Sequence, residues 1–158
     1  MDLILWRHAE AQEAEDGMDD LARQLTPKGR KQARRMAQWL ETVLPNSCRI
    51  LVSPSRRTIQ TAEALGRRYR ICDEIAPSAD ADTLLRAANW PHGATPVLLV
   101  GHQPALGAAA AQLLTGQAGQ MSIRKGAVWW ISAREDDRDC VLRAVSSPDL
   151  VRADSMRK

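Results

Sequence analysis

Three apolar runs in this chain are each followed at once by side chains that can hold an anion. Leu3-Ile4-Leu5-Trp6 leads into Arg7-His8, Arg49-Ile50-Leu51-Val52 into Ser53-Pro54-Ser55-Arg56-Arg57, and Pro96-Val97-Leu98-Leu99-Val100 into Gly101-His102. Short unbroken apolar runs read as buried strands, and in open α/β sheets ligands bind beyond the carboxyl ends of such strands. If the three run parallel, Arg7, His8, Arg57 and His102 meet at one edge of the sheet. Two guanidiniums and two imidazoles in one crevice suit a dianion, a phosphoryl group before any other.

The familiar ways of handling such a group are missing from the sequence. There is no GxxxxGK[ST] or GxGxxG loop, no CxxxxxR thiol loop and no GxSxG elbow. His8, at a strand end beside Arg7, is the best-placed nucleophile, because imidazole can form covalent intermediates. It attacks as the neutral form, which an unperturbed pKa of about 6.5 makes available at pH 7. With three His and neither CxxC nor HxxxH, no metal site is expected, and no cofactor is implied.

The elements that must carry these residues alternate, strand with helix. Thr26 reads as an N-cap and Pro27 as the first residue of a helix whose inner face holds Ala33, Met36, Ala37, Leu40, Val43 and Leu44. A second helix after Ser53-Pro54 is expected to turn Ile59, Ala62, Leu65 and Tyr69 inward. A short helix falls around Thr83–Ala88, and an Ala- and Leu-rich one ends near Leu114. Two closing strands, Ala127–Ser132 and Cys140–Val145, flank a charged hairpin at Arg134–Arg138. Residues from Ser146 on read as a surface tail. The pattern predicts an α/β fold: three layers, with a mainly parallel central sheet flanked by helices.

Charge is segregated near the N-terminus. Ala9 to Ala22 holds six acids and no base, while Arg23 to Arg35 holds six bases and no acid. The first helix therefore opens with cations that oppose its dipole, and the acidic stretch before it is the nearest source of compensation. The whole chain, 158 residues with 44% hydrophobic and 26% charged, suits one domain over 1–158 with a full core. A formal net charge of +3 permits nucleic-acid binding, but the five Trp are not interleaved with bases as a stacking platform requires. No apolar segment is long enough for a membrane span or a signal-peptide core. Cys48, Cys72 and Cys140, irregularly spaced, read as reduced thiols, and a cytoplasmic location is expected.

Taken in order, Leu-Ile-Leu-Trp-Arg7-His8-Ala9, Arg23-Gln-Leu25-Thr26-Pro-Lys-Gly29, Leu-Val-Ser53-Pro54-Ser-Arg-Arg57-Thr-Ile-Gln60-Thr61-Ala62 and Val-Leu-Leu-Val-Gly101-His102 resemble the motifs of the histidine phosphatase superfamily. The small size and the Ser-Pro motif make the chain most similar to the SixA-type phosphohistidine phosphatases, over roughly residues 1–145. The resemblance implies that His8 takes the phosphoryl group, while Arg7, Arg57 and His102 hold its oxygens. It selects Arg57 over Arg56, four residues after Ser53 and three before Gln60. Ala9 stands where the superfamily usually has Gly. Ala14 stands where its mutases carry Asn, and residues 70–95 are short for their inserted Glu acid.

That missing acid has a chemical reading. An alkoxide leaving group needs a proton donor, whereas the imidazole leaving from phosphohistidine has a basicity near neutrality. The expected activity is therefore metal-independent hydrolysis of protein phosphohistidine. A small-molecule phosphomonoesterase and a non-catalytic phosphate-binding module are the alternatives. The expected partner is a phosphohistidine-bearing phosphotransfer domain, or else a small phosphorylated substrate, with neither nucleic acid nor membrane. Glu10, Asp80 and Asp82 are the possible acids, and Arg23 and Gln103 the possible substrate contacts. Arg57 is expected to be partly exposed and to support no core. Arg56 and Arg68 read as solvated, His92 as a turn residue, and Trp129-Trp130 as a pair with one ring turned inward. The basic Lys28–Arg35 face is a candidate for steering an acidic partner.

Overall fold

A computed structural model of the chain describes residues 1–134 and 139–152. The hairpin expected at 134–138 therefore lies almost wholly outside the described residues. The strands are β1 (Asp2–Arg7), β2 (Arg49–Val52), β3 (Arg70–Ile71), β4 (Val97–Gly101), β5 (Val128–Ala133) and β6 (Cys140–Ser146). The helices are α1 (Pro27–Val43), α2 (Arg56–Glu63), α3 (Ala81–Ala87) and α4 (Ala105–Thr115). One sheet runs in the order β3-β2-β4-β1-β5-β6. Strands β1 to β4 are mutually parallel, β5 is antiparallel to β1, and β6 is antiparallel to β5.

Both faces are covered at the centre of the sheet, which is why β4 is apolar throughout and β1 is apolar from Leu3 to Trp6. Leu3, Leu5, Leu51, Val97 and Leu99 face α3 and α4 in one core. Ile4, Trp6, Ile50, Leu98 and Val100 face the other, with Met36, Ala37 and Leu40 of α1. Trp129 and Trp130 divide between these two cores. The expected inward ring is Trp130, which is buried, while Trp129 is half-buried against the opposite core. Tyr69 is not on α2, which ends at Glu63; it packs from the approach to β3 instead.

Just beyond β6 the chain is held before it reaches the exposed Asp149 and Leu150. Ser147 and Pro148 are buried, the Pro148 carbonyl accepts from Arg35 Nη1 at 3.0 Å, and its ring crosses Gly126. Gly126 has φ +76°, and a Cβ there would lie 2.8 Å from the Pro148 ring, so both backbone and packing call for glycine.

Candidate functional site

The parallel register fixes which strand ends meet. Arg7 pairs with Gly101 and Val52 with Val100, and the next amides continue the ladders, His8 N to Gly101 O and Ser53 N to Val100 O, each at 3.1 Å. His8 and His102 thereby stand side by side, their ring centroids 5.4 Å apart. Ser55 caps α2 by accepting from the Thr58 amide, and Arg57 sits in the first turn above the strand ends. Three further side chains of that segment hold α2 in place. Thr58 Oγ1 donates to Ser53 O at 2.7 Å, Thr61 Oγ1 accepts from the Ala9 amide at 3.1 Å, and Gln60 Oε1 accepts from the Leu25 amide at 2.8 Å.

Arg7, His8, Arg57 and His102 share the wall of a cleft of about 190 Å³ with Arg23, Gln103, Ala11, Pro77 and Lys125. Arg7 Nη1 is anchored on Ile123 O at 2.8 Å. Arg7 Nε, Arg57 Nε and His102 Nδ1 are buried without a hydrogen-bond partner among the described residues. Unpaired buried polar nitrogens are costly, and all three belong to residues on the wall of this one cleft, where an anion would compensate them.

The two imidazoles are held neutral. Burial, followed by the charges of Arg57 and Arg7, pushes the His8 pKa down to about 4 against the opposing effect of the Ala9 carbonyl. Burial and then Arg57 bring His102 down to about 3. Neutral His8 carries its one proton on Nδ1, because the Ala9 carbonyl 2.7 Å away can only accept. Its Nε2 therefore keeps its lone pair. His102 Nε2 meets Ser53 Oγ at 2.7 Å; with the hydroxyl donating, Nδ1–H joins the unpartnered donors.

Arg57 is 3% exposed, which corrects the expectation of a partly exposed side chain. What permits its burial is Asp20, a residue the sequence reading missed. Asp20 takes Arg57 Nη2 on its carboxylate at 3.0 Å and Arg57 Nη1 on its backbone carbonyl at 2.8 Å. It also takes Arg23 Nε at 3.0 Å. Burial raises the Asp20 pKa, but the two arginines together outweigh it and hold the carboxyl below its ordinary value. Nothing local marks Asp20 among six neighbouring acids. Lys125 was missed as well, since only the crossing of the 121–127 loop over the strand ends, with Gly126 N on His8 O at 3.0 Å, brings it to the cleft.

None of the three possible acids lines the cleft. Glu10 accepts from Thr26 Oγ1 at 2.7 Å at the start of α1, supplying the compensation expected of the acidic stretch. Asp80 caps α3 through the Thr83 amide at 2.9 Å, and Asp82 accepts from Gln112 Nε2 at 3.2 Å. Gln103 reaches the cleft wall with its amide bonded to Gly107 N and Met121 O at 2.7 and 2.9 Å. His92 and Arg68 are exposed, as is Arg56. No group of three or more His, Cys, Asp or Glu able to hold a metal occurs among the described residues, and no helix there is long and apolar enough to cross a membrane.

Fold and cleft together define an α/β protein with two neutral imidazoles set among guanidinium groups at the carboxyl ends of parallel strands. Residues 3–82 match the Histidine phosphatase superfamily (branch 1), and the chain belongs to that superfamily. It is 32% identical over 125 residues to the phosphohistidine phosphatase SixA of Escherichia coli K12, covering 74% of this chain and 76% of that one. The solved structure of the protein histidine phosphatase SixA complexed with tungstate superposes with a TM-score of 0.76 at 28% identity, over 94% of this chain and 98% of that one. A SixA structure from Agrobacterium tumefaciens, at 22% identity and a TM-score of 0.78, has the same fold over 93% of this chain and 97% of its own. The superfamily makes the chain a phosphatase.

Proposed function

We propose that the chain is a metal-independent phosphohistidine phosphatase working through a phospho-His8 intermediate. One observation carries the reading: a neutral imidazole with a free Nε2 stands in a cleft whose wall holds Arg7, Arg57 and His102, each with an unpartnered buried nitrogen, and no carboxylate among the described residues. His8 Nε2 attacks phosphorus, and the P–N bond to the substrate ring breaks with the electron pair leaving on that ring, which carries a proton on its other nitrogen and so departs as neutral imidazole. Water then attacks phospho-His8, releasing phosphate and restoring the ring. Arg7, Arg57 and His102 hold the oxygens whose charge shifts in both steps.

The cleft also favours a protein substrate. Of the 70–95 segment only Pro77 reaches its wall, so that segment forms no long lid over the opening. A phosphohistidine standing on another protein's helix can enter such a site. SixA was crystallised with tungstate, a tetrahedral oxyanion of phosphate's shape, which agrees with this assignment. The test compares kcat/KM on a phosphohistidine-bearing phosphotransfer domain and on a generic aryl phosphate, with EDTA present. Preference for the phosphoprotein, together with acid-labile phosphoenzyme that His8→Ala abolishes, is expected. Better turnover of the ester would replace the reading with a small-molecule phosphatase, and activity retained in His8→Ala would remove the nucleophile.

A further inference from the structure

A second concentration of guanidinium groups lies where the mechanism makes no use of it. Arg49 opens β2, Arg70 opens β3, and Arg67 and Arg68 stand on the approach to β3. Together with Tyr69 they line an open groove of about 600 Å³, three times the volume of the catalytic cleft. The two sites lie at opposite ends of β2, because Arg49 begins that strand and Ser53 follows its end. Arg67 belongs to the frame: it pairs with Glu41 at 2.9 Å and donates to Pro45 O and Leu44 O. Arg49, Arg68 and Arg70 are exposed, and their side chains have no hydrogen bond or ion pair among the described residues.

The groove borders β3, the outermost strand of the sheet, whose outer edge pairs with no other strand among the described residues. Arg70 and Ile71 point to opposite faces of that strand, and Ile71 is 48% exposed. Cations on an edge strand repel a second copy of a basic chain, which guards the edge against self-pairing. The same cations attract an acidic strand. A shallow, open groove is a poor enclosure for a small ligand, which needs most of its surface buried, but it suits a peptide laid along it.

We propose that this groove docks an extended acidic segment of a protein partner, added alongside β3 with carboxylates toward Arg49, Arg68 and Arg70 and apolar side chains toward Ile71. The site is independent of the catalytic reading, and docking there leaves the cleft open.

The test uses the full chain and a fluorescein-labelled ten-residue peptide alternating Glu and Val, read by anisotropy at low ionic strength. Salt-sensitive binding is expected, weakened at least about tenfold by Arg49→Glu with Arg70→Glu. Reversal of two exposed arginines elsewhere, Arg134→Glu with Arg152→Glu, should weaken it far less. His8→Ala should bind as the native chain does, and the groove variant should hydrolyse an aryl phosphate at the native rate. Absence of binding overturns the proposal, as does equal loss from the two charge-reversed pairs, since that is general attraction. Binding lost in His8→Ala would move the peptide to the cleft. Tripolyphosphate binding at the groove without peptide binding would make it a small-polyanion site and overturn the proposal equally.

Discussion

At the scale of single residues, the cleft withholds protons from its two imidazoles. A cleft with Arg7, Arg23, Arg57 and Lys125 on its wall would repel two imidazolium ions, and burial adds to that penalty. In the anion-free protein, proton NMR should therefore show His8 and His102 titrating with midpoints near 4 and 3 instead of near 6.5. A midpoint above 6 for His8 would contradict the neutral nucleophile. Arg57 makes the second case. As a buried side chain that fastens Asp20, it should cost stability as well as activity when truncated. Arg57→Ala is expected to lower kcat/KM by about 10²–10³-fold, the scale of removing one transition-state donor. It should also lower unfolding stability by about 2 kcal/mol, the scale of lost charged hydrogen bonds. Steady-state kinetics and urea unfolding of one preparation check both; an undiminished stability would mean that Asp20 contributes nothing.

The elements explain why some residues were legible and others were not. Arg7, His8 and His102 end strands whose apolar runs are local in sequence, so their convergence follows once the strands are parallel. Thr61 and Gln60 look like ordinary helix polar residues, and only the packed fold shows them tying α2 to Ala9 and Leu25. Strand β3 has two residues, too few for any periodicity, and Asp20 pairs with an arginine 37 positions away. The buried Ser147–Pro148 turn is equally a product of long-range contact, with Gly126 and Arg35. Gly29 offers a test of how tightly such contacts are drawn. Gly→Ala inside a helix ordinarily stabilises by up to about 1 kcal/mol. Here a Cβ would lie 1.9 Å from the Glu10 carbonyl oxygen, a backbone atom that cannot swing away. Gly29→Ala should instead destabilise by about 3 kcal/mol and reduce activity, because it pushes α1 against the segment just after His8. A stability gain on chemical denaturation would show that α1 can shift freely from that segment.

For the whole molecule, the cleft's charges set how stability depends on pH and on bound anion. Each buried histidine has a folded pKa below its unfolded value, so the unfolded chain binds more protons in between. Stability therefore rises with pH across the interval from about 4 to about 6.5, and is lost as pH falls through it. For His8 the full effect is on the order of 3 kcal/mol, and His102, 5.4 Å away, adds to it without simply doubling it. Asp20, Asp80 and Asp149 also have lowered pKa values, so the stability they contribute is lost in a more acid range, below about pH 4. The loss between pH 6.5 and 4.5 thus belongs mainly to the histidines. An oxyanion in the cleft changes both ends of this balance. It stabilises the folded state by about 2.7 kcal/mol at a hundred times its Kd, and its negative charge favours the imidazolium forms. Thermal unfolding followed from pH 7 to 4.5 should show a steep fall in Tm without added anion. The fall should be shallower in saturating phosphate and reduced in His102→Asn. A slope unchanged by both phosphate and His102→Asn would place the acid sensitivity outside the cleft, and with it the argument that burial among arginines keeps these imidazoles neutral would fail.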